Sequence, residues 1–293
     1  MTKDKKALRE IEQPLYNYWQ ALYHSFFNNR LYIDVCKRWK GYGVLYFLLL
    51  MFIVTLPFSV RIIVDFTRNF QNDIIQPLNQ LPPLYIQNGN LSFDKPMPYF
   101  IKNNKGNVVT IVDTSGSISS INKATYPNLR FLITKDKILY RFPTTANFLS
   151  DGSDEINPTI YTASFDKNYN GVFEGNAWLK SSGLSTLKFF FAFLMYPSIA
   201  LIFFALFTVF LLALSLMGQF VAKLFGLTIS YKQACRLLLV SVTPLMVALW
   251  FVLVGGWLPL PAWGGILFLA LFVFYFCFAV LSVKYDSQQL VIS

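Results

Sequence analysis

Residues Leu237 to Val283 read LLLVSVTPLMVALWFVLVGGWLPLPAWGGILFLALFVFYFCFAVLSV, without one Asp, Glu, Lys or Arg. A helix needs about 20 apolar residues to cross about 30 Å of hydrocarbon, so this run is long enough for two. Between them, Gly255, Gly256, Pro259, Pro261, Gly264 and Gly265 break the helix, and Trp257 and Trp263 suit the headgroup level. The pattern predicts spans over 237–256 and 265–284 joined by an outer hairpin at 257–264. Earlier in the chain, Gly43 to Val60 and Phe189 to Met217 are also uncharged and apolar, which predicts spans over 43–64 and 187–218. The whole chain agrees: 55% of its 293 residues are hydrophobic and 14% charged, too apolar for an ordinary soluble domain.

The basic residues set the expected orientation. The head, 1–42, carries Lys3, Lys5, Lys6, Arg9, Arg30, Lys37, Arg38 and Lys40, and the loop over 219–236 carries Lys223, Lys232 and Arg236 with no acid. Short loops rich in Lys and Arg stay cytoplasmic, so both termini, including the tail over 285–293, are expected inside. The first span follows a polar head with no small-residue cleavage site and reads as a retained anchor. The net charge of +10 points to anionic lipid headgroups and away from nucleic acid. Leu15, Trp19, Leu22, Tyr23 and Phe26 recur at helical spacing. Such a stripe beside a bilayer fits either a helix lying in the interface or one packed on the ends of the spans.

Past Arg61, the spacing of Ile62, Phe66, Phe70 and Ile74 predicts that the first helix continues as a stalk over 65–83, stopped by Pro77 and Pro82-Pro83. The period then changes. Short runs at Leu84–Ile86, Tyr99–Ile101, Val108–Val112, Arg130–Ile133 and Ile138–Phe142 alternate with Asn88-Gly89, Lys105-Gly106 and Ser115-Gly116. They predict a β-rich domain over 84–186, mostly antiparallel and built from hairpins. The fold class is therefore a four-span helical membrane protein with an extracytoplasmic, mainly-β domain inserted between spans 1 and 2. The three cysteines, Cys36, Cys235 and Cys277, all lie outside that domain, which is expected to fold without disulfides.

Residues that carry chemistry are scarce. The spans lack the ionisable side chains on which proton relays and intramembrane proteases depend. The single histidine, His24, sits in the head, so no His-metal cluster or Ser-His pair is expected in the β domain. Val112-Asp113-Thr114-Ser115-Gly116 looks like an aspartic-protease turn with a residue inserted, and no second copy exists to share a proton. A turn whose Asp caps backbone amides is the simpler reading. Asp166, Asn168, Asn170 and Glu174 place oxygen ligands as a calcium loop does, although the closing acid of an EF-hand would fall at Ala177. A structural calcium ion is thus the one cofactor the sequence offers, and Asn170-Gly171 also fits a plain turn. Lys37, Arg38, Trp39, Lys223, Lys232 and Arg236 are candidate contacts to lipid phosphate or to a partner's acidic surface, with simple topology signalling as the alternative.

The segment from Ser25-Phe26-Phe27 through Tyr32 to Gly43, Pro98-Tyr99-Phe100-Ile101 with Val109 to Gly116, and Tyr231 to Pro244 resemble the bacterial membrane family catalogued as domain of unknown function 1189. That family is distantly similar to the Yip-type multispanning proteins. The resemblance implies a multi-pass protein of the bacterial inner membrane with the β domain in the periplasm, and it brings no reaction and no catalytic residues. The expected function is a non-enzymatic scaffold or accessory protein, whose periplasmic domain binds a membrane or periplasmic protein or an envelope ligand while the helices meet membrane lipids. The alternative is a transporter or lipid-handling protein with an apolar cavity between helices kinked at Tyr196-Pro197 and Thr243-Pro244.

Overall fold

The computed structural model describes residues 13–122, 124–141, 160–255, 257 and 262–292. Lys3, Lys5, Lys6 and Arg9, the stretch 142–159, and residues 258–261 of the hairpin lie outside them. The chain divides into two compact units, one formed by 1–61 with 194–293, the other by 62–193.

The first unit is helical. Two short helices, α1 (Tyr18–His24) and α2 (Asn29–Lys37), precede α3, which starts at Val44. Asn17 and Gln20 form a reciprocal capping box on α1, and Asn28 caps α2 through the Arg30 amide. Four helices are long and apolar enough to cross a membrane: Val44–Gln80, Leu184–Leu224, Tyr231–Gly255 and Trp263–Asp286. Their apolar surface suits lipid, since Ile202, Leu206, Val209 and Phe210 all stand exposed on α6 (Leu184–Leu224), a patch that water would not tolerate. The buried residues of α6 are Ala200, Thr208, Leu211, Ser215, Gly218 and Ala222, mostly small and, from Thr208 on, three or four apart. Small side chains leave room for a neighbour's bulky ones to pack where no hydrophobic drive exists between helices. At Gly218 an added Cβ would lie 3.0 Å from the Phe276 ring of the last helix, α9 (Ala262–Ile292).

The third apolar stretch is two helices, α7 (Tyr231–Ser241) and α8 (Thr243–Gly255), parted at Val242. Pro244 lies in the first turn of α8, where its missing N–H costs nothing, and Thr243 donates its hydroxyl back to the Val240 carbonyl at 2.8 Å. Helix α6, by contrast, runs through Pro197 without interruption. Because α6 ends at Leu224 and α7 begins at Tyr231, the basic loop expected over 219–236 narrows to 225–230, and Lys223, Lys232 and Arg236 sit on helices.

In the second unit, Pro77 does not stop the first long helix. Helix α3 (Val44–Phe70) passes into a π-helical turn over Gln71–Ile75 and on to α4 (Gln76–Gln80), ending before Pro82-Pro83. A proline clashes with the carbonyl four residues back, here Asp73; the wider π turn gives that carbonyl room. The strands are β1 (Leu84–Gln87), β2 (Asn90–Ser92), β3 (Tyr99–Lys102), β4 (Val108–Asp113), β5 (Phe131–Thr134), β6 (Lys137–Tyr140), β7 (Tyr161–Ser164) and β8 (Gly171–Phe173), followed by α5 (Gly175–Ser181). They form two sheets, ordered β2-β1-β8 and β3-β4-β5-β6-β7. The β1–β2 hairpin turns on Asn88 and Gly89, both with φ positive (51° and 73°), the two-residue turn that matches strand twist.

One pairing departs from the expected hairpins. Strands β4 and β5 are parallel, with Val112 opposite Ile133, so the chain between them crosses over one face of the larger sheet. Alternation along these strands then feeds two cores. Val112, Ile133 and Ile101 pack with Leu84, Ile86 and Leu91 of the smaller sheet. Ile111 and Leu132 point the other way and pack with Ile121 and Leu129 of the crossover.

Candidate functional site

In the helical unit the polar side chains gather at α2. Asp34 is buried, and its carboxylate accepts the Leu15 amide at 3.0 and 3.1 Å, the Tyr16 amide at 3.2 Å and the Trp39 indole N–H at 3.3 Å. Arg38, one turn on, pairs with it at 3.3 Å. The rest of α2 buries Leu31, Tyr32, Val35 and Cys36 between α7 and α9. The Cys36 carbonyl accepts from Arg236 at 3.1 Å and from Gln233 at 3.3 Å, so α2 is tied to α7 through its backbone. Burial pushes the Cys36 thiol up to about 11, against the pull of Arg236 and Lys37, so it stays protonated and unreactive near neutral pH. A second tie joins α3 to α8, where the Tyr46 and Thr243 hydroxyls meet at 2.7 Å.

The six basic and aromatic contact candidates therefore separate. Trp39 is buried on Asp34, Arg38 is paired with Asp34, and Arg236 is only 8% exposed, held by the Cys36 carbonyl. Lys37 pairs with Asp286 of α9 at the surface. Lys232 extends over the Tyr42 ring, 5.6 Å from its centre, and Lys223 lies in the last turn of α6. Asp34 went unread in the sequence; its one local signal is the i,i+4 spacing to Arg38 in an otherwise basic stretch. The aromatic stripe of the head faces outward: Trp19 and Tyr23 are each 66% exposed, with Leu15 and Phe27 beside them, while Ala21 and Ser25 are buried. That side of α1 is not covered by the described helices.

In the β unit, Asp113 behaves as a cap. It is buried, and its two oxygens accept the Ser115 amide at 2.9 Å, the Ser117 hydroxyl at 2.8 Å and the Ile118 amide at 2.6 Å, fixing the start of the crossover. Burial alone would raise its pKa, but the hydrogen bonds from Ser115, Ile118 and Ser117 outweigh it and bring the carboxyl down to about 2. A carboxylate so occupied is poorly placed to share a proton. Because the folded value lies below the unfolded one, the stabilisation is complete above about pH 4 and is lost as pH falls through about 2. Between pH 5 and 2 the β unit is expected to lose about 2 kcal/mol from this residue. Asp113→Asn should flatten that part of a stability-versus-pH curve; equal slopes for both proteins would refute the assignment.

The calcium-loop candidates lie between β7 and β8. Asp166 accepts the Asn168 amide at 2.9 Å, and Asn170 accepts the Asn88 amide at 2.8 Å, which docks this loop on the β1–β2 turn. Glu174 stands at the start of α5 without capping it. Among the described residues no three His, Cys, Asp or Glu side chains come together.

A further polar group joins the π turn to the sheet. Asp73 accepts from the buried Asn103 side chain at 3.1 Å and lies 3.8 Å from Arg130, and Asn103 in turn closes the β3–β4 turn by accepting the Lys105 and Asn107 amides. These contacts hold the shape of the β3–β4 turn.

No solved structure matches this chain. An uncharacterized protein of Rickettsia prowazekii (strain Madrid E), RP489, is 25% identical over 118 residues, 36% of this chain and 40% of that protein. The chain thus spans about two-fifths of the length of this curated relative. The architecture with α2 locked to α7 and a two-sheet unit between the first two long helices is covered almost throughout by one family model, matched over residues 19–280: the chain belongs to the family described as Protein of unknown function (DUF1189).

Proposed function

We propose that this is a non-enzymatic scaffold or accessory protein of the bacterial inner membrane, with both termini in the cytoplasm and the β-rich domain over 84–186 in the periplasm, where it binds a protein or envelope ligand. The observation that carries this reading is the fate of the buried hydroxyls in the long helices. Thr55, Ser59, Ser215, Ser241 and Ser282 each donate to a carbonyl three or four residues back on their own helix. Hydroxyls turned inward on their own backbone pass no proton or ion from helix to helix; among the described residues the Tyr46–Thr243 pair is a single link and Thr208 has no partner, so neither extends into a chain. The helices then serve to anchor, and the separately cored β unit is the part left to recognise something.

The test has two arms. Alkaline phosphatase joined after residue 120 should be active and a cytoplasmic reporter silent at the same place; the reverse pattern overturns the topology. A photo-crosslinker at Tyr85 or Val172, exposed neighbours on the outer face of the smaller sheet, should give one stoichiometric adduct in native membranes. An uncrosslinked monomer under several growth conditions would sink the scaffold reading. The break between α7 and α8 favours the second reading, a transporter or lipid-handling protein, and substrate-dependent uptake into vesicles would select it.

A further inference from the structure

Arg236 is buried to more than nine-tenths, yet its guanidinium makes one hydrogen bond, to the Cys36 carbonyl, and its Nε has no partner. Among the described residues no carboxylate pairs with it: Asp34 is taken by Arg38, and Asp286 by Lys37. A buried charge with a single neutral partner is destabilising unless an anion neutralises it. The backbone is shaped around this side chain, since Gly43 (φ +83°) passes so close that an added Cβ would lie 3.3 Å from the Arg236 Cα. Lys232, one turn earlier on the same face of α7, adds a second cation at the rim, over the half-exposed Tyr42 ring.

We propose that Arg236 and Lys232 form a binding site for the phosphodiester of an anionic phospholipid. Arginine's planar fork matches phosphate, and a lysine nearby supplies a point charge. The position selects a lipid over a soluble anion. Arg236 immediately precedes the uncharged run that begins at Leu237, where polar chain gives way to hydrocarbon. Next to Tyr42 and Gly43, Leu45 is 67% exposed and offers an apolar surface to an acyl chain. This site is independent of whatever the β unit recognises.

The experiment uses the full chain, delipidated in a neutral detergent and titrated with phosphatidylglycerol, phosphatidylcholine or inorganic phosphate. Lipid retention is read by native mass spectrometry, and thermal unfolding is followed in parallel. Phosphatidylglycerol should be retained and should raise the melting temperature, while phosphatidylcholine does neither. Lys232→Gln, whose side chain is at the surface and which should fold normally, is expected to weaken retention several-fold; Arg236→Lys, which keeps the charge but loses the fork, should weaken it roughly tenfold. Equal retention of the two lipids, wild-type retention in both variants, or displacement of the lipid by millimolar phosphate would each overturn the proposal.

Discussion

Alanine at position 175 is expected to unfold the β unit or cripple it, by about 3 kcal/mol or more. Gly175 opens α5 and is buried against α4; an added Cβ would lie 2.0 Å from the Leu78 carbonyl oxygen and 2.9 Å from its carbon. Neither is the end of a flexible side chain, so α5 and α4 have to separate, and with them the attachment of Leu81, which belongs to the core between the sheets. Limited proteolysis of the 62–193 segment should accelerate accordingly. Gly265→Ala, on a helix with nothing within 4 Å of the new methyl group, is the control and should change little. Wild-type protection in Gly175→Ala would show that the two helices are not in contact.

The second large effect belongs to Asp34. Removing its carboxylate leaves two backbone amides, a buried indole N–H and the Arg38 guanidinium without an acceptor. Breaking a buried charge cluster from one side costs about 3–5 kcal/mol. Asp34→Ala should therefore release the head from α7 and α9, whereas Asp34→Asn, which keeps one acceptor oxygen, should do so less. Cys36 reports the event. In a variant whose other two cysteines are serine, maleimide labelling at pH 7 should be slow in the parent and at least about tenfold faster in Asp34→Ala, because the thiol is sealed only while α2 is docked. Unchanged labelling would refute the role given to Asp34.

How far the sequence could be read follows from the range of the forces involved. The long helices were legible because hydrocarbon excludes charge over a whole run, a property written in consecutive residues. The Asn88-Gly89 turn was legible because two adjacent residues with positive φ suffice to make it. The parallel pairing of β4 with β5 was not, since no helical crossover marks it and the signal lies in which strands share a core. The passage of the first helix through Pro77 depends on a π turn that no local preference announces. Site residues fail in the same way. Arg236 and Trp39 look like surface anchors until Cys36 and Asp34 are found beside them. Asn170 looks like a ligand until Asn88, 82 residues earlier, is seen to occupy it. The Asp113 cap, closed within five residues, was the one constellation whose simpler reading could be drawn from sequence and is met by the geometry.

The narrow seam on α6 has a consequence for how this protein endures handling. Where Gly218 leaves room for the Phe276 ring of α9, cohesion comes from dispersion between atoms and owes little to expelled water. Such cohesion is largely indifferent to the amphiphile around it, and it does not fade on chilling as solvent-driven burial does. That seam is thus built to keep its arrangement when a cell grows cold.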